Sequence, residues 1–248
     1  MFVDTHCHIH ESDYPLDPSE TIQRATDADV TKLLCVATSE VSSRQAIEFV
    51  ADRDNTWATV GVHPHDSKDG YDHIAAMASS QKVIAIGEIG LDYFYTNSPK
   101  DVQIEALKTQ IEIALAHDLP IVFHVREAFD DFWPIFDSYE GIRGVLHSFT
   151  DTTEQLEQGL KRGLYIGVNG ISTFTKDEAQ KAMFDAIPLD RMLLETDAPF
   201  LTPAPLRGKI NEPAFVRTIA EFHASRRGIS IEEIAQATSA NAHALFAI

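Results

Sequence analysis

Eight short apolar runs recur along the chain, near residues 2–5, 32–37, 56–62, 83–89, 120–125, 144–148, 164–168 and 191–196. Their length suits strands buried on both faces of a parallel sheet. Parallel neighbours need a crossover between them, and the intervening segments carry helix signals. Asp17-Pro18-Ser19-Glu20 offers an N-cap, a proline at the first helical position and an acid at the third. Ser98-Pro99-Lys100-Asp101 repeats the device, and Asp151 with Glu154 and Thr175 with Glu178 read as capping boxes. Over 99–117, Ile104, Leu107, Ile111 and Leu115 fall along one helical face. A Pro-rich loop over 199–213 leads to a helix near 213–227 and a last one opened by Ser230 and Glu233. Eight such units in 248 residues, with no repeat or linker, predict one α/β domain over 1–248, a (β/α)8 barrel of TIM type. A doubly wound sheet would open its first turn with glycines, whereas the first run here ends in His6-Cys7-His8.

Six metal-capable side chains stand where these runs end: His6 and His8, Glu88, His124, His147 and Asp197. In a parallel barrel all C-terminal strand ends open onto one face, so residues far apart in sequence converge there. His6 and His8 lie two apart on a strand, and their imidazoles face the same side. Glu88 has two oxygens and could hold one cation on each. His124 and His147, from neighbouring strands, would complete a second site. Asp197 follows the eighth strand, beside the first, where it could ligate the first metal and take a proton from bound water. Two divalent ions about 3.5–4 Å apart polarise a substrate and generate hydroxide near neutral pH.

Any one of these residues could be a rim group, salt-bridge partner or cap; their coincidence at successive strand ends is what favours a metal centre. Asp4 and His10 are expected to brace the ligands, Asp92 to cap or hold a loop, and Glu195 to support Asp197. His65, His73, His117, His223 and His243 read as structural or surface residues. His63, in Gly61-Val62-His63-Pro64-His65, is a candidate to touch substrate. The two cysteines form no disulfide framework, and Cys7 points away from the histidines that flank it, as a structural thiol. No apolar stretch approaches membrane-spanning length, and the expected setting is a cytoplasmic monomer with no membrane contact. A net charge of −18 excludes a protein that coats nucleic acid over a long basic surface, but not an enzyme gripping one or two phosphates.

Asp4-Thr5-His6-Cys7-His8, Gly61-Val62-His63-Pro64-His65 and Gly87-Glu88-Ile89-Gly90-Leu91-Asp92-Tyr93 resemble the opening motifs of the TatD-type metal-dependent deoxyribonucleases. His124-Val125-Arg126-Glu127, His147-Ser148-Phe149-Thr150 and Glu195-Thr196-Asp197-Ala198-Pro199 follow in the family's order, as do Arg207-Gly208-Lys209-Ile210-Asn211-Glu212-Pro213 and Asn241-Ala242 with Leu245-Phe246. The resemblance covers nearly the whole chain. It implies a TIM-type barrel, metal contacts from His6, His8, Glu88, His124, His147 and Asp197, a substrate-side role for His63, and nuclease activity at DNA ends. Asp151 stands where a glycine often follows, and Val125-Arg126-Glu127 replaces a small-Arg-Asp stretch, which bears on substrate preference at the rim.

The leading expectation is a 3′→5′ exodeoxyribonuclease on single-stranded or frayed DNA, working through two divalent metals and a metal-bound hydroxide. Asp197 is the expected base, with Glu88 and His63 in the catalytic set. Arg126, Arg207 and Lys209 would meet phosphate, and Tyr93, Phe94 and Tyr95, directly after the fourth run, could stack an unpaired base or plug the barrel top. The resemblance implies Mg or Mn for activity, while mixed imidazole and carboxylate ligands suit Zn, Mn, Ni or Fe by softness. The same site could serve a small phosphoester, amide or lactone hydrolase. Phosphotriesterase-like relatives bridge their metals with a modified lysine where this chain has Glu88, which favours the nuclease branch. A non-catalytic metal-binding protein is the reading from another class.

Overall fold

The computed structural model describes residues 1–95 and 97–248. The first half of the chain forms β1 Phe2–Cys7, α1 Pro18–Asp27, β2 Val30–Cys35, α2 Glu40–Ala51, β3 Thr56–Val60, α3 Ile74–Met77, β4 Val83–Asp92 and α4 Lys100–Ala116. The second half forms β5 Ile121–Arg126, α5 Phe129–Phe136, β6 Gly144–Leu146, α6 Thr153–Lys161, β7 Tyr165–Val168, α7 Ile171–Phe174, α8 Glu178–Ala186, β8 Met192–Leu194, α9 Val216–Arg227 and α10 Ile231–Phe246. The strands form one sheet in chain order, and Cys7 pairs in parallel with Ala198 just past β8. The sheet therefore closes into the eight-stranded parallel α/β barrel the sequence predicts. No helix among the described residues is long and apolar enough to cross a membrane.

Two compact units make up the chain, 1–35 with 148–248 and 36–147. In the first, β1 pairs with β2 and β7 with β8, and Phe2, Leu33, Leu34, Ile166 and Leu193 are buried, the adjacent Leu33 and Leu34 on opposite faces of the sheet. In the second, β4 and β5 bury Ile86, Ile89, Leu91 and Phe123. The Phe123 ring lies 5.1 Å from Phe132 on α5 in an edge-to-face pair. Cys7 and Cys35 are buried free thiols at paired positions of β1 and β2, and the Cys7 Sγ donates to the Leu34 carbonyl at 3.5 Å.

Several local expectations are corrected. β4 runs on to Asp92, so Glu88 lies inside the strand rather than at its end. The reason is Gly90: a Cβ there would stand 1.7 Å from the His124 carbonyl oxygen, so only glycine lets β4 stay against β5. Asp17 and Ser230 cap α1 and α10 as predicted, accepting from the Glu20 and Glu233 amides. Ser98 does not cap α4; its hydroxyl donates to the His65 carbonyl at 2.7 Å. Thr152 and Asp177, rather than Asp151 and Thr175, cap α6 and α8. Pro213–Phe215 is a separate 3-10 turn ahead of α9.

The inward face of α4 is also rotated from the predicted one. Ile104 and Leu115 are only half-buried, while Gln103 and Gln110 are buried beside Leu107 and Ile111. Gln110 accepts from the Val62 amide at 2.7 Å and donates to the Val62 carbonyl at 3.1 Å, clamping the chain one residue before His63. Gln103 makes the same two-bond clamp on Asp92, at 2.9 and 3.0 Å. A buried amide satisfies strand-exit backbone groups that a leucine would leave unpaired.

Replacing Gln110 by Leu is expected to cost about 2–4 kcal/mol in urea unfolding, since two buried backbone groups lose their partners. A second prediction concerns pH. Burial pushes His223, on α9, down to about 3 from its ordinary 6.5, so the folded chain holds it neutral, against the Ser172 hydroxyl at 2.9 Å. Below pH 6.5 the unfolded chain takes up a proton that the folded chain refuses. Its contribution to stability is therefore complete above 6.5 and is lost as pH falls toward 3, at up to about 1.4 kcal/mol per unit. The urea midpoint of His223→Gln is expected to fall less steeply from pH 6.5 to 5 than that of the wild type.

Candidate metal centre

In the first unit, His6 sits in β1 and His8 one residue beyond it, and the Asp197 turn follows β8. The His6 and His8 Nε2 atoms are 3.2 Å apart, and Asp197 Oδ1 lies 3.1 Å from His8 Nε2 and 3.7 Å from His6 Nε2. Two imidazole nitrogens and a carboxylate oxygen facing one another this closely call for a shared positive charge, a proton or a cation. Bonds of about 2.0–2.1 Å to one tetrahedral ion would set its ligand atoms about 3.3–3.4 Å apart. The three observed separations bracket that figure, so this donor set fits a divalent ion.

The sequence builds this triangle from beneath. Asp4, fully buried, accepts from the His6 amide at 3.2 Å, the Thr196 amide at 2.9 Å and the Thr196 hydroxyl at 2.5 Å. Burial pushes its carboxyl up to about 8, against those hydrogen bonds. The Asp197 amide donates to the His6 carbonyl at 2.8 Å, and Asp197 takes a left-handed φ of 59°, which aspartate tolerates better than most residues. The bracing role expected of Asp4 is thus found. His10 is buried with its ring 6.4 Å from that of His8. Glu195, expected behind Asp197, accepts from the Ser148 amide at 2.7 Å. Gly167 makes room for it, since a Cβ there would meet its Oε2 at 2.3 Å.

In the second unit, Glu88 collects three histidines around Oε1: His124 Nδ1 at 2.8 Å, His63 Nε2 at 3.6 Å and His147 Nε2 at 3.7 Å. The far nitrogen of His124, Nε2, lies 3.0 Å from Asp92 Oδ2. A carboxylate behind one ring nitrogen is the arrangement that orients a metal-binding histidine through the other. Asp92 Oδ2 also meets His65 Nε2 at 2.9 Å. Burial works against charge on both Asp92 and His124. Hydrogen bonds from His124, the Tyr95 amide and His65 nevertheless hold the Asp92 carboxyl well below the usual carboxylate range. Asp92 and Glu88 in turn hold His124 above its ordinary value.

For His63 a backbone contact fixes the tautomer. Its Nδ1 accepts from the His65 amide at 3.1 Å. Burial, with His124 nearby, holds its pKa well below the ordinary value, so the ring is neutral and carries its hydrogen on Nε2, toward Glu88. A ring so arranged presents a donor to the site.

The remaining site residues divide. Arg126, two residues beyond His124, lies over the Phe94 ring at 4.0 Å. Arg207 lies over Phe174 at 4.0 Å and donates to the Thr202 carbonyl at 2.8 Å, and Lys209 is exposed. Tyr93 is engaged on both ends: its hydroxyl donates to Asp131 at 2.7 Å and the Lys100 ammonium sits 3.8 Å over its ring. Its neighbours Phe94 and Tyr95 are exposed, as is Phe200. Reading along the sequence missed His65, assigned a structural role, and the joint hold of Asp92 on His65 and His124. The signal was present in Glu88-Ile89-Gly90-Leu91-Asp92, which places both acids on one strand face once β4 is carried to Asp92.

The family model described as TatD related DNase matches residues 3–247. YabD of Bacillus subtilis, an uncharacterized metal-dependent hydrolase, is 38% identical over 254 residues, with both chains covered in full. TatD of Citrobacter rodentium, a 3′-5′ ssDNA/RNA exonuclease, is 36% identical over 251 residues, covering 97% of this chain and 95% of that one. The crystal structure of YjjV, a TatD homologue from Escherichia coli, matches with a TM-score of 0.92 at 28% identity, covering 100% of this chain and 98% of that one. A likeness that runs from end to end, in sequence and in fold, and takes in every strand exit bearing a ligand cluster, makes this chain a member of the TatD family of metal-dependent hydrolases.

Proposed function

We propose that the chain is a divalent-metal-dependent nuclease that removes nucleotides from the 3′ ends of single-stranded or frayed DNA in the cytoplasm. The observation that carries this reading is the triangle of His6 Nε2, His8 Nε2 and Asp197 Oδ1, spaced at 3.1 to 3.7 Å as the ligands of one ion would be. For a second ion we assign Glu88, His124 and His147: Glu88 Oε1 faces both rings, at 2.8 and 3.7 Å, although the three do not form one close group as Glu88, His124 and His63 do. Divalent cations bound there would offset phosphate charge and make water acidic enough to deprotonate near neutral pH. Mg or Mn suits that activity, and the imidazole-rich donors also accept Zn, Ni or Fe.

The residues divide the remaining work. Asp197 receives the proton of the attacking water, which adds to phosphorus as the bond to the 3′ oxygen breaks, and the departing 3′ oxygen takes up a proton from solvent to leave as a hydroxyl. His63 donates from Nε2 to a non-bridging phosphate oxygen, stabilising the charge that builds there. Arg126, Arg207 and Lys209 hold flanking phosphates, a task guanidinium groups suit by their paired donors. TatD of Citrobacter rodentium, the 3′-5′ ssDNA/RNA exonuclease, supports this substrate class.

A 5′-labelled single strand incubated with Mn or Mg is expected to shorten from its 3′ end, and EDTA to stop it. Asp197→Asn is expected to lower the rate by about 10²–10⁴-fold, the usual worth of a positioned base. A strand left intact under every metal would overturn the nuclease reading and turn the search to small phosphoesters, amides and lactones. For His63→Ala, kcat is expected to fall by about 10²-fold, as when one transition-state donor is lost, while metal content by elemental analysis stays at the wild-type level. Loss of metal in that variant would instead make His63 a ligand.

A further inference from the structure

Phe94 and Tyr95 are 49% and 46% exposed, unusual for large rings in a folded chain, and they follow β4 directly. They are not loose. Both amides donate to Asp92 Oδ1, at 3.0 and 2.9 Å, so the turn that carries them is pinned by the carboxylate whose Oδ2 faces His65 and His124. The Arg126 guanidinium covers one face of Phe94 at 4.0 Å and lies 5.0 Å from the Tyr95 ring. The Phe94 and Tyr95 rings meet edge to face at 4.7 Å. From Tyr95 a chain of ring contacts leads inward: Tyr95 to His65 at 5.3 Å, His65 to His63 at 4.3 Å, His63 to His124 at 4.3 Å.

Two exposed rings, a fixed cation and a backbone locked to the ligand cluster make a surface with a definite chemistry. Apolar faces would take a flat aromatic heterocycle, and the guanidinium beside them would take the phosphate attached to it. An unpaired nucleotide has both parts, whereas a paired base buries its faces in the helix. We infer that Phe94, Tyr95 and Arg126 form a stacking subsite for an unpaired nucleobase and its phosphate, held in register with the His63–Glu88–His124 cluster by Asp92. This rests on the nuclease reading and adds to it what recognises the strand: base faces without base identity, since every base offers a π-face. Of the three aromatics the sequence offers for stacking, Tyr93 is left out of the subsite, because Asp131 holds its hydroxyl and Lys100 covers its ring.

The test compares binding of two short fluorescein-labelled strands with a cleavage-resistant phosphorothioate backbone, one of thymidine and one lacking bases. The wild type is expected to favour the thymidine strand. Phe94→Ala with Tyr95→Ala is expected to lose about tenfold in affinity for it per ring, and nothing for the abasic strand. Phe94→Trp, which keeps a π-face, is expected to hold the preference. Equal affinity of the wild type for the two strands, or an unchanged preference in the double variant, would overturn the subsite, and so would failure to bind either strand. Digestion of an unmodified strand with Mn, run alongside, separates the two ideas. Cleavage without base preference removes the subsite and leaves the nuclease, while base preference without cleavage leaves the subsite and removes the nuclease.

Discussion

A carboxylate taken out of water must be surrounded by donors, and at the strand exits of this barrel that requirement organises everything above it. Asp92, 1% exposed, satisfies it with the amides of Phe94 and Tyr95 on one oxygen and two imidazoles on the other. Asp4, wholly buried, satisfies it with His6 and Thr196. Each acid thereby fixes both a candidate ligand and the backbone beside it. Removing either would leave several buried donors unpaired at once, which costs more than the loss of one contact. The rigidity a metal centre needs thus comes from acids that are not themselves in the proposed ligand set.

The barrel was legible because its cause is local and repeated. Short apolar runs joined by capped helices can bury both sheet faces in few ways, and length selected the closed one. The convergence of donors was legible for a related reason: histidines and acids recurring near the ends of successive apolar runs must meet at one mouth of a parallel barrel, and His6, His8 and Asp197, like His63, Glu88 and His124, do stand close enough to hold a cation. What escaped depended on atoms far apart in the chain. The length of β4 turned on whether residue 90 could pass the His124 carbonyl, a contact with a strand more than thirty residues on. The caps of α6 and α8 shifted by one or two residues between Asp and Thr neighbours, both competent to cap.

Gln103 and Gln110 were hidden for a more instructive reason. Hydrophobic periodicity counts a glutamine as outward-facing, so the inner face of α4 was placed too far toward Ile104 and Leu115. Strand exits leave backbone amides and carbonyls that no neighbouring strand pairs, and a primary amide has the one donor and one acceptor that fit them. Helix faces opposite strand exits are therefore where polar residues belong inside, and a pattern built on apolarity alone misreads them. His65 was misread in the same way: nothing in Pro64-His65-Asp66 signals that its ring reaches Asp92.

The acidity of the chain bears on how it could hold a polyanion. A net charge of −18 repels a nucleic acid at long range, but at physiological salt the field of exposed charges decays over about 8 Å. Within that distance the near groups decide: around Glu88 and Asp92 they are the imidazoles of His63, His65, His124 and His147, and beside Phe94 and Tyr95 the guanidinium of Arg126. A protein that neutralises few phosphates releases few counterions, so its affinity rests on contacts that salt does not weaken, such as stacking and inner-sphere coordination. Such a design is poor at coating a strand and good at engaging its terminus, where one or two nucleotides are free to unstack. On the proposed reading, the exposed rings held by Asp92 and the buried donors around Glu88 would supply those salt-insensitive contacts, and the acidic remainder of the surface would limit adhesion to duplex.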